Sequence, residues 1–386
     1  MIAYVTHGNS GIQKVTIIIY SVLFLVMVYG NYFVCRKVGI SENTYKYRSM
    51  DGLRGICAAL VIFHHFYWRD GSSDDLFWSM DYLSPTMKSL AMLVGHLPVA
   101  VFFMISGFLF FFVASAKKPI IPFFRGRILR IYPPVLFSLL LAMLALLFVQ
   151  GDGSCAVGVF KYIPTPIGFI SDGAVCGLKM ASVNSGILWT LIWEWRLYVF
   201  VPVLMLLMNF FKNDLLVILG LLAVTIALWV TGKMDDMSDS YLILFISGFL
   251  SAILSRKEVS EKNQFVLFFS GMALFLLCLA ITKHVYHPLT VLSLIPSFWA
   301  VASGFSVFGL LTNSKLQLLG VTSFSVYLNH GVFQFISKHY LYDFGFYLWQ
   351  TISVVLIAIA APFLYKYIEL AFQAKKLPST SLMVKP

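Results

Sequence analysis

Apolar runs broken by short polar segments recur along nearly the whole chain. Crossing a hydrocarbon core takes about 20 mostly apolar residues in an α-helix. Runs of that order lie at about 15–35, 53–69, 90–114, 131–149, 187–211, 214–232, 241–255, 264–282, 289–311, 318–337 and 345–366. The pattern predicts an all-α polytopic membrane helix bundle with about eleven transmembrane helices. The run at 241–255 is short. The first run, Val15 to Cys35, is too long for a signal-peptide core and has no small-residue cleavage site after it, so it reads as a retained helix. Composition agrees: of 386 residues, 59% are hydrophobic and 12% charged, where a soluble domain carries about a quarter charged.

Charge assigns sides to these helices. With the N-terminus outside and the C-terminus in the cytoplasm, 19 of the 28 Lys and Arg residues fall in cytoplasmic segments and 8 in external ones, with Arg196 inside a span. That is the asymmetry of the positive-inside rule. The acidic residues Asp70, Asp74, Asp75 and Asp81, and then Asp235, Asp236 and Asp239, fall outside. The formal charge of +11 is therefore topological, and no nucleic-acid partner is expected. The five cysteines show no metal-ligand spacing, and no metal is expected. Cys35, Cys57 and Cys278 sit in or beside apolar runs as small hydrophobes. Cys155 and Cys176 share the long external segment 150–186 and can pair if it faces an oxidising compartment.

Five stretches place polar side chains where a spanning helix would exclude them. In DGLRGICAALVIFHHF, Arg54 and His65 are eleven residues apart, about three helical turns, so they share a face about 16 Å apart. His64 points about 100° away. Arg54 serves equally as a positive-inside anchor and His65 as a buried core residue. Yet ionisable groups within the membrane are functional candidates, and imidazole suits proton transfer near neutral pH. Ser106, Gly107 and Phe108 in VFFMISGFLFF fit close helix packing, or a hydroxyl that orients substrate. Arg127 and Arg130 in FFRGRILRIYPP share a face at the cytoplasmic start of the fourth span, as stop-transfer charge or as a phosphate-binding pair. In LWTLIWEWRLYVFVP, Glu194 and Arg196 point in different directions, and the cost of charge in lipid predicts that both face a polar cavity. In SFSVYLNHGVF, Tyr327 and His330 share a face, for packing or for substrate.

Taken in order, these stretches resemble acyltransferase family 3, the integral membrane O-acyltransferases. The resemblance rests on DGLRG with Arg-x10-His, then SGF, RxxRIYP, LWTLxxExxxYxxxP and SxYLxH, over roughly residues 48–370. It implies a ten-helix acyltransferase domain at 48–370. An extra N-terminal helix and basic linker precede it at 1–47, and a short cytoplasmic tail follows at 371–386. It also implies a bacterial inner-membrane enzyme. Such an enzyme takes an acyl group, most commonly acetyl, from cytoplasmic acyl-CoA to a sugar hydroxyl of an envelope glycan or glycolipid such as O-antigen. Carried over by residue, His65 is the general base or transient acyl acceptor, with Arg54, Ser106 and Glu194 as its catalytic companions. Arg127 and Arg130, with Arg54, bind the donor, and Gly107, Phe108, Tyr327 and His330 position substrate. The chain departs from the family at Glu194-Trp195, where a second acid or amide is usual, and it carries no hydrolase-like domain after the last span. The rival class is a transporter or flippase, although no paired broken helices appear in matching halves of the chain.

Overall fold

The computed structural model describes the backbone of residues 10–42, 47–68, 80, 83–117, 119–168, 174–233 and 236–374. The acidic residues Asp70, Asp74, Asp75, Asp81 and Asp235, the side chains of Asp236 and Asp239, and the tail from residue 375 lie outside the described residues. The long helices are α1 (Ser10–Lys37), α2 (Arg48–His65), α3 (Pro85–Ser115), α4 (Ile120–Gln150), α5 (Trp189–Phe211), α6 (Asp214–Val230), α7 (Asp236–Leu254) and α8 (Glu261–Thr282). They are followed by α9 (Pro288–Ser293), α10 (Ile295–Ala302), α11 (Ser314–Val321), α12 (Ser323–Leu341) and α13 (Phe346–Leu364). Taking α9 with α10 and α11 with α12 as broken helices, each of the eleven apolar runs has its helical segment. The chain is a multi-pass, all-α membrane bundle.

Among the described residues, six helices are long and apolar enough to cross a membrane by themselves: residues 16–37, 85–115, 120–150, 189–211, 261–282 and 347–373. Helices α2 and α12 are not among them, because polar residues dilute their apolar runs. Both are wrapped by neighbours instead: α2 packs on α3, α11 and α12, while α12 packs on α4 and α13. Ser325, Asn329, His330 and Gln334 of α12 are all buried. Polar side chains at membrane depth are tolerated where protein, not lipid, surrounds them.

Lipid is as apolar as leucine, so close packing replaces the hydrophobic effect in joining such helices. The most extensive contact, α3 with α7, is built that way. A Cβ on Gly107 would lie 2.2 Å from the Phe245 carbonyl oxygen, and one on Gly248 would lie 2.1 Å from that of Met104. Phe103, Phe108 and Phe111 of α3 interleave there with Phe245 and Phe249 of α7 in the main core. A second core joins α1, α2, α11 and α13 through Met27, Ile62, Leu319 and Ile357. The first helix is thus part of the bundle, and Asn31 donates across it to the Thr322 hydroxyl at 3.1 Å.

Three boundaries differ from the sequence reading by eight residues or more, one being the ninth run, expected to reach 311, whose helix α10 ends at Ala302. Helix α4 begins at Ile120, eleven residues before the predicted fourth span, and so carries Arg127 and Arg130 within the helix. The last helix continues past 364 through a π-helical turn, Tyr365–Leu370, to Ala374. Segment 151–188, between α4 and α5, folds into short helices and a two-residue hairpin that pairs Ala174 with Lys179. A Cys155–Cys176 disulfide closes it.

Candidate active site

A cavity of about 290 Å³ opens between α2, α3, α4, α5 and α12. Six of the predicted site residues line it: Arg54, Ser106, Arg127, Arg130, Glu194 and Tyr327. These come from five helices and converge without being neighbours in the chain. Val99, Phe102, Phe103, Ile105 and Leu109 of α3 give it apolar walls beside its charges.

Glu194 is the centre of its polar network. Ser106 donates to one carboxylate oxygen at 3.3 Å and Tyr198 donates to the other at 2.9 Å. Tyr198 also forms part of an aromatic cage around the Arg127 guanidinium. Its carbon lies 5.2 Å from the centre of the Phe110 ring, 5.7 Å from Phe123 and 5.9 Å from Tyr198. Cation–π contacts of this kind are strongest where water is excluded. Arg54 has Asp51 one turn before it, at 3.7 Å, and lies within electrostatic reach of Arg130, Glu194 and Glu369. The cavity therefore concentrates positive charge along one wall and a single hydrogen-bonded carboxylate on another.

The imidazoles stand one layer behind this wall. Tyr327 reaches the cavity and shares a hydrogen bond of 2.9 Å with Thr190. His330 is 6.0 Å from Tyr327 ring to ring, and His65 is 5.1 Å from His330. The Nδ1–H of His330 donates to the Tyr327 carbonyl at 2.8 Å, which leaves Nε2 as its acceptor nitrogen. That Nε2 has no hydrogen-bond partner among the described residues. His64, although next to His65, faces α3. Its Nδ1 donates to the Ala91 carbonyl at 2.7 Å, and its Nε2 accepts from the Trp68 indole at 2.9 Å. The ring lies over Gly95, where a Cβ would come within 2.4 Å of it. With both nitrogens engaged, His64 has the surroundings of a structural residue.

Besides His65 and His330, three residues singled out in the sequence lie off the cavity. Arg196 does not face the cavity; it is exposed on the bundle surface, stacked on Trp193 at 4.3 Å. Two residues of helix turn it away from Glu194, and its long stem lets the charge leave the apolar layer. Gly107 and Phe108 also lie off the cavity. Gly107 is the closest-approach point with α7, and Phe108 is fully buried with its ring 5.0 Å from that of Tyr47. Of the SGF stretch, only Ser106 reaches the polar space.

Other residues joined the site without being singled out. Tyr198 is four residues after Glu194, a helical-neighbour spacing that signals their contact. Asp51 and Arg54 lie three apart in the same way. Glu369 is buried, accepts a hydrogen bond from Ser325, and lies within electrostatic reach of Arg54 and Arg130. It falls beyond the predicted end of the last span, and only the π-helical turn carries it back into the bundle.

The model of the Acyl_transf_3 family, an acyltransferase domain, matches residues 47–367. The match begins after α1 and takes in every residue of the cavity. No curated protein and no solved structure matches the chain. By the extent of that match, this chain belongs to acyltransferase family 3 and is a membrane acyltransferase.

Proposed function

We propose that the protein moves an acetyl group from cytoplasmic acyl-CoA to a sugar hydroxyl of an envelope glycan or glycolipid. The observation that carries this reading is the single cavity in which two donor-type arginines, Arg127 and Arg130, meet a hydrogen-bonded carboxylate and a hydroxyl-lined wall. Guanidinium groups suit the charge that develops on a thioester carbonyl oxygen, and one shared cavity supports a meeting of donor and acceptor inside the bundle. The Cys155–Cys176 bridge supports the orientation. Disulfides persist in oxidising compartments, which favours segment 151–188 outside the cytoplasm and the N-terminal ends of α2 and α4 inside it. A bacterial inner membrane, with the N-terminus periplasmic and the C-terminus cytoplasmic, fits this sidedness.

In this mechanism the acceptor oxygen attacks the thioester carbonyl as its proton passes to an imidazole. The new C–O bond forms as the C–S bond breaks. The thiolate then takes the proton, leaving free CoA and an acyl ester. His65 is the base or transient acyl carrier; its ring lies 5.1 Å from that of His330, behind Tyr327. Arg54 and Arg130 offset the negative charge that develops on the carbonyl oxygen. Ser106 and Glu194 orient the acceptor hydroxyl.

Inside-out vesicles given labelled acetyl-CoA should place label covalently on glycan. Movement of an unlabelled acceptor without transfer would favour the transporter class instead. His65→Ala should abolish labelling, while folded His64→Ala protein should keep it. The reverse result would overturn the assignment of the base.

A further inference from the structure

A second cavity, of about 520 Å³, opens at the far ends of α3 and α5 from the disulfide loop. Its polar walls are Ser115, Lys117, Asn209, Lys212, Asp214 and Arg256. Arg256 is already matched: it donates to Asp214 at 2.8 Å and to the Ser115 hydroxyl at 2.7 Å. Lys117 reaches only the Asn209 amide oxygen, at 2.8 Å, and neither it nor Lys212 has an ion pair among the described residues. Two exposed ammonium groups are thus left over in one concave site. Both lysines have left-handed backbone, with φ of 47° and 54°, just past the ends of their helices. A cation at a helix C-terminus complements the dipole. That accounts for each lysine separately, but not for their meeting in one cleft.

The cleft lies beyond the catalytic cavity along the same two helices. Val113 of α3 lines the first space, and Ala114 and Ser115 line the second. On α5 the walls pass from Tyr198 to Met205 and Met208. Along α3, Ser106 and Ser115 are nine residues, or about 14 Å, apart. The catalytic cavity, at about 290 Å³, is at the lower limit of about 300 Å³ for sites that enclose a drug-sized ligand. It has room for the thioester and part of its arm, but not for a nucleotide as well.

We propose that the Lys117–Lys212 cleft binds the phosphorylated adenosine end of the acyl-CoA donor, while the pantetheine arm runs along α3 to the thioester site. This rests on reading the donor as acyl-CoA. The cleft supplies compact positive charge for a terminal phosphate, and the Asn209 amide and Ser115 hydroxyl supply polar contacts beside it. Its place opposite the disulfide-closed segment is the cytoplasmic end, where such a donor arrives.

The test uses the full-length protein in lipid nanodiscs and 3′,5′-ADP as the probe. Wild-type protein should bind it, and Lys117→Gln/Lys212→Gln should weaken binding about tenfold or more, as expected for loss of charge-assisted hydrogen bonds. The wild-type preference in kcat/KM for acetyl-CoA over S-acetyl-4′-phosphopantetheine should fall by a similar factor. This ratio is internal to each protein and is insensitive to the folded fraction. Equal binding by both proteins, or no donor preference in the wild type, would overturn the proposal. So would loss of 3′,5′-ADP binding in phosphatidylglycerol discs but not in phosphatidylcholine discs, which would assign the cleft to a lipid headgroup. Binding at these lysines without any transfer from acetyl-CoA would sink the enzymatic reading and leave the phosphate site standing. Transfer from both donors at equal efficiency would do the opposite.

Discussion

Glu194 and Arg196 show how two residues of one helix, two positions apart, come to opposite fates. Glu194 turns inward to Ser106 and Tyr198, while Arg196 turns outward over Trp193. An inward carboxylate held by two hydroxyl donors fits the proposed orienting of a substrate hydroxyl. Glu194→Gln keeps the shape but removes the charge, and should lower kcat/KM about a hundredfold in the vesicle transfer assay, the scale of general acid–base and positioning effects. Arg196→Gln should change it by no more than about twofold, as for other surface substitutions. Comparable losses in both would place catalysis elsewhere on α5. The two adjacent histidines separate by the same logic. His64 has both nitrogens bonded to the backbone of α3 and to Trp68, while the His65 ring lies 5.1 Å from that of His330. Helical arithmetic from Arg54 already distinguished their directions. The intermediate layer of Tyr327 and His330 between His65 and the cavity required coordinates, because those rings belong to α12, more than 250 residues away in the chain.

At the scale of elements, the glycine pair of α3 and α7 sets how close those helices lie. Gly107→Val would drive a branched side chain against the backbone carbonyl of Phe245, which cannot retreat as a flexible side chain can. Overpacking of this kind costs about 1–3 kcal/mol. The variant should melt earlier in detergent and lose activity in proportion to its folded fraction. Normal melting with selective loss of acceptor binding would instead return Gly107 to a substrate-positioning role. Apolar patterning located each helix but misplaced the start of α4 and the end of the last helix, which runs on past α13 to Ala374. In both places charged residues lie within the helix, and a hydropathy reading ends a span at charge. Arg127 and Arg130 are retained by the cavity, and Glu369 by Ser325 and the nearby arginines.

For the molecule as a whole, the disulfide and the basic cleft mark opposite ends of the bundle. Helix α5 alone runs 23 residues between them, about 35 Å, enough to cross a hydrocarbon core. Replacing Cys155 with Ser should destabilise the folded protein by about 3 kcal/mol, from the entropy released when a loop of 21 residues is no longer closed. The freed Cys176 should react with an impermeant maleimide from outside intact cells. Labelling only after the membrane is opened would reverse the proposed orientation.

The sequence by itself determined the solvent in which the chain folds, its eleven helical segments, and a set of polar residues too costly to leave in lipid without a purpose. Those follow from local composition and from a period of 3.6 residues, which a single chain displays directly. Its motifs also pointed to the family. Only the tertiary structure decided which polar residues share a cavity. It separated Ser106 from Gly107 and Phe108, Glu194 from Arg196, and brought Tyr198 and Glu369 beside the predicted residues. Convergence depends on helix rotation, crossing and termination, and those are set by contacts between distant segments that no local pattern encodes.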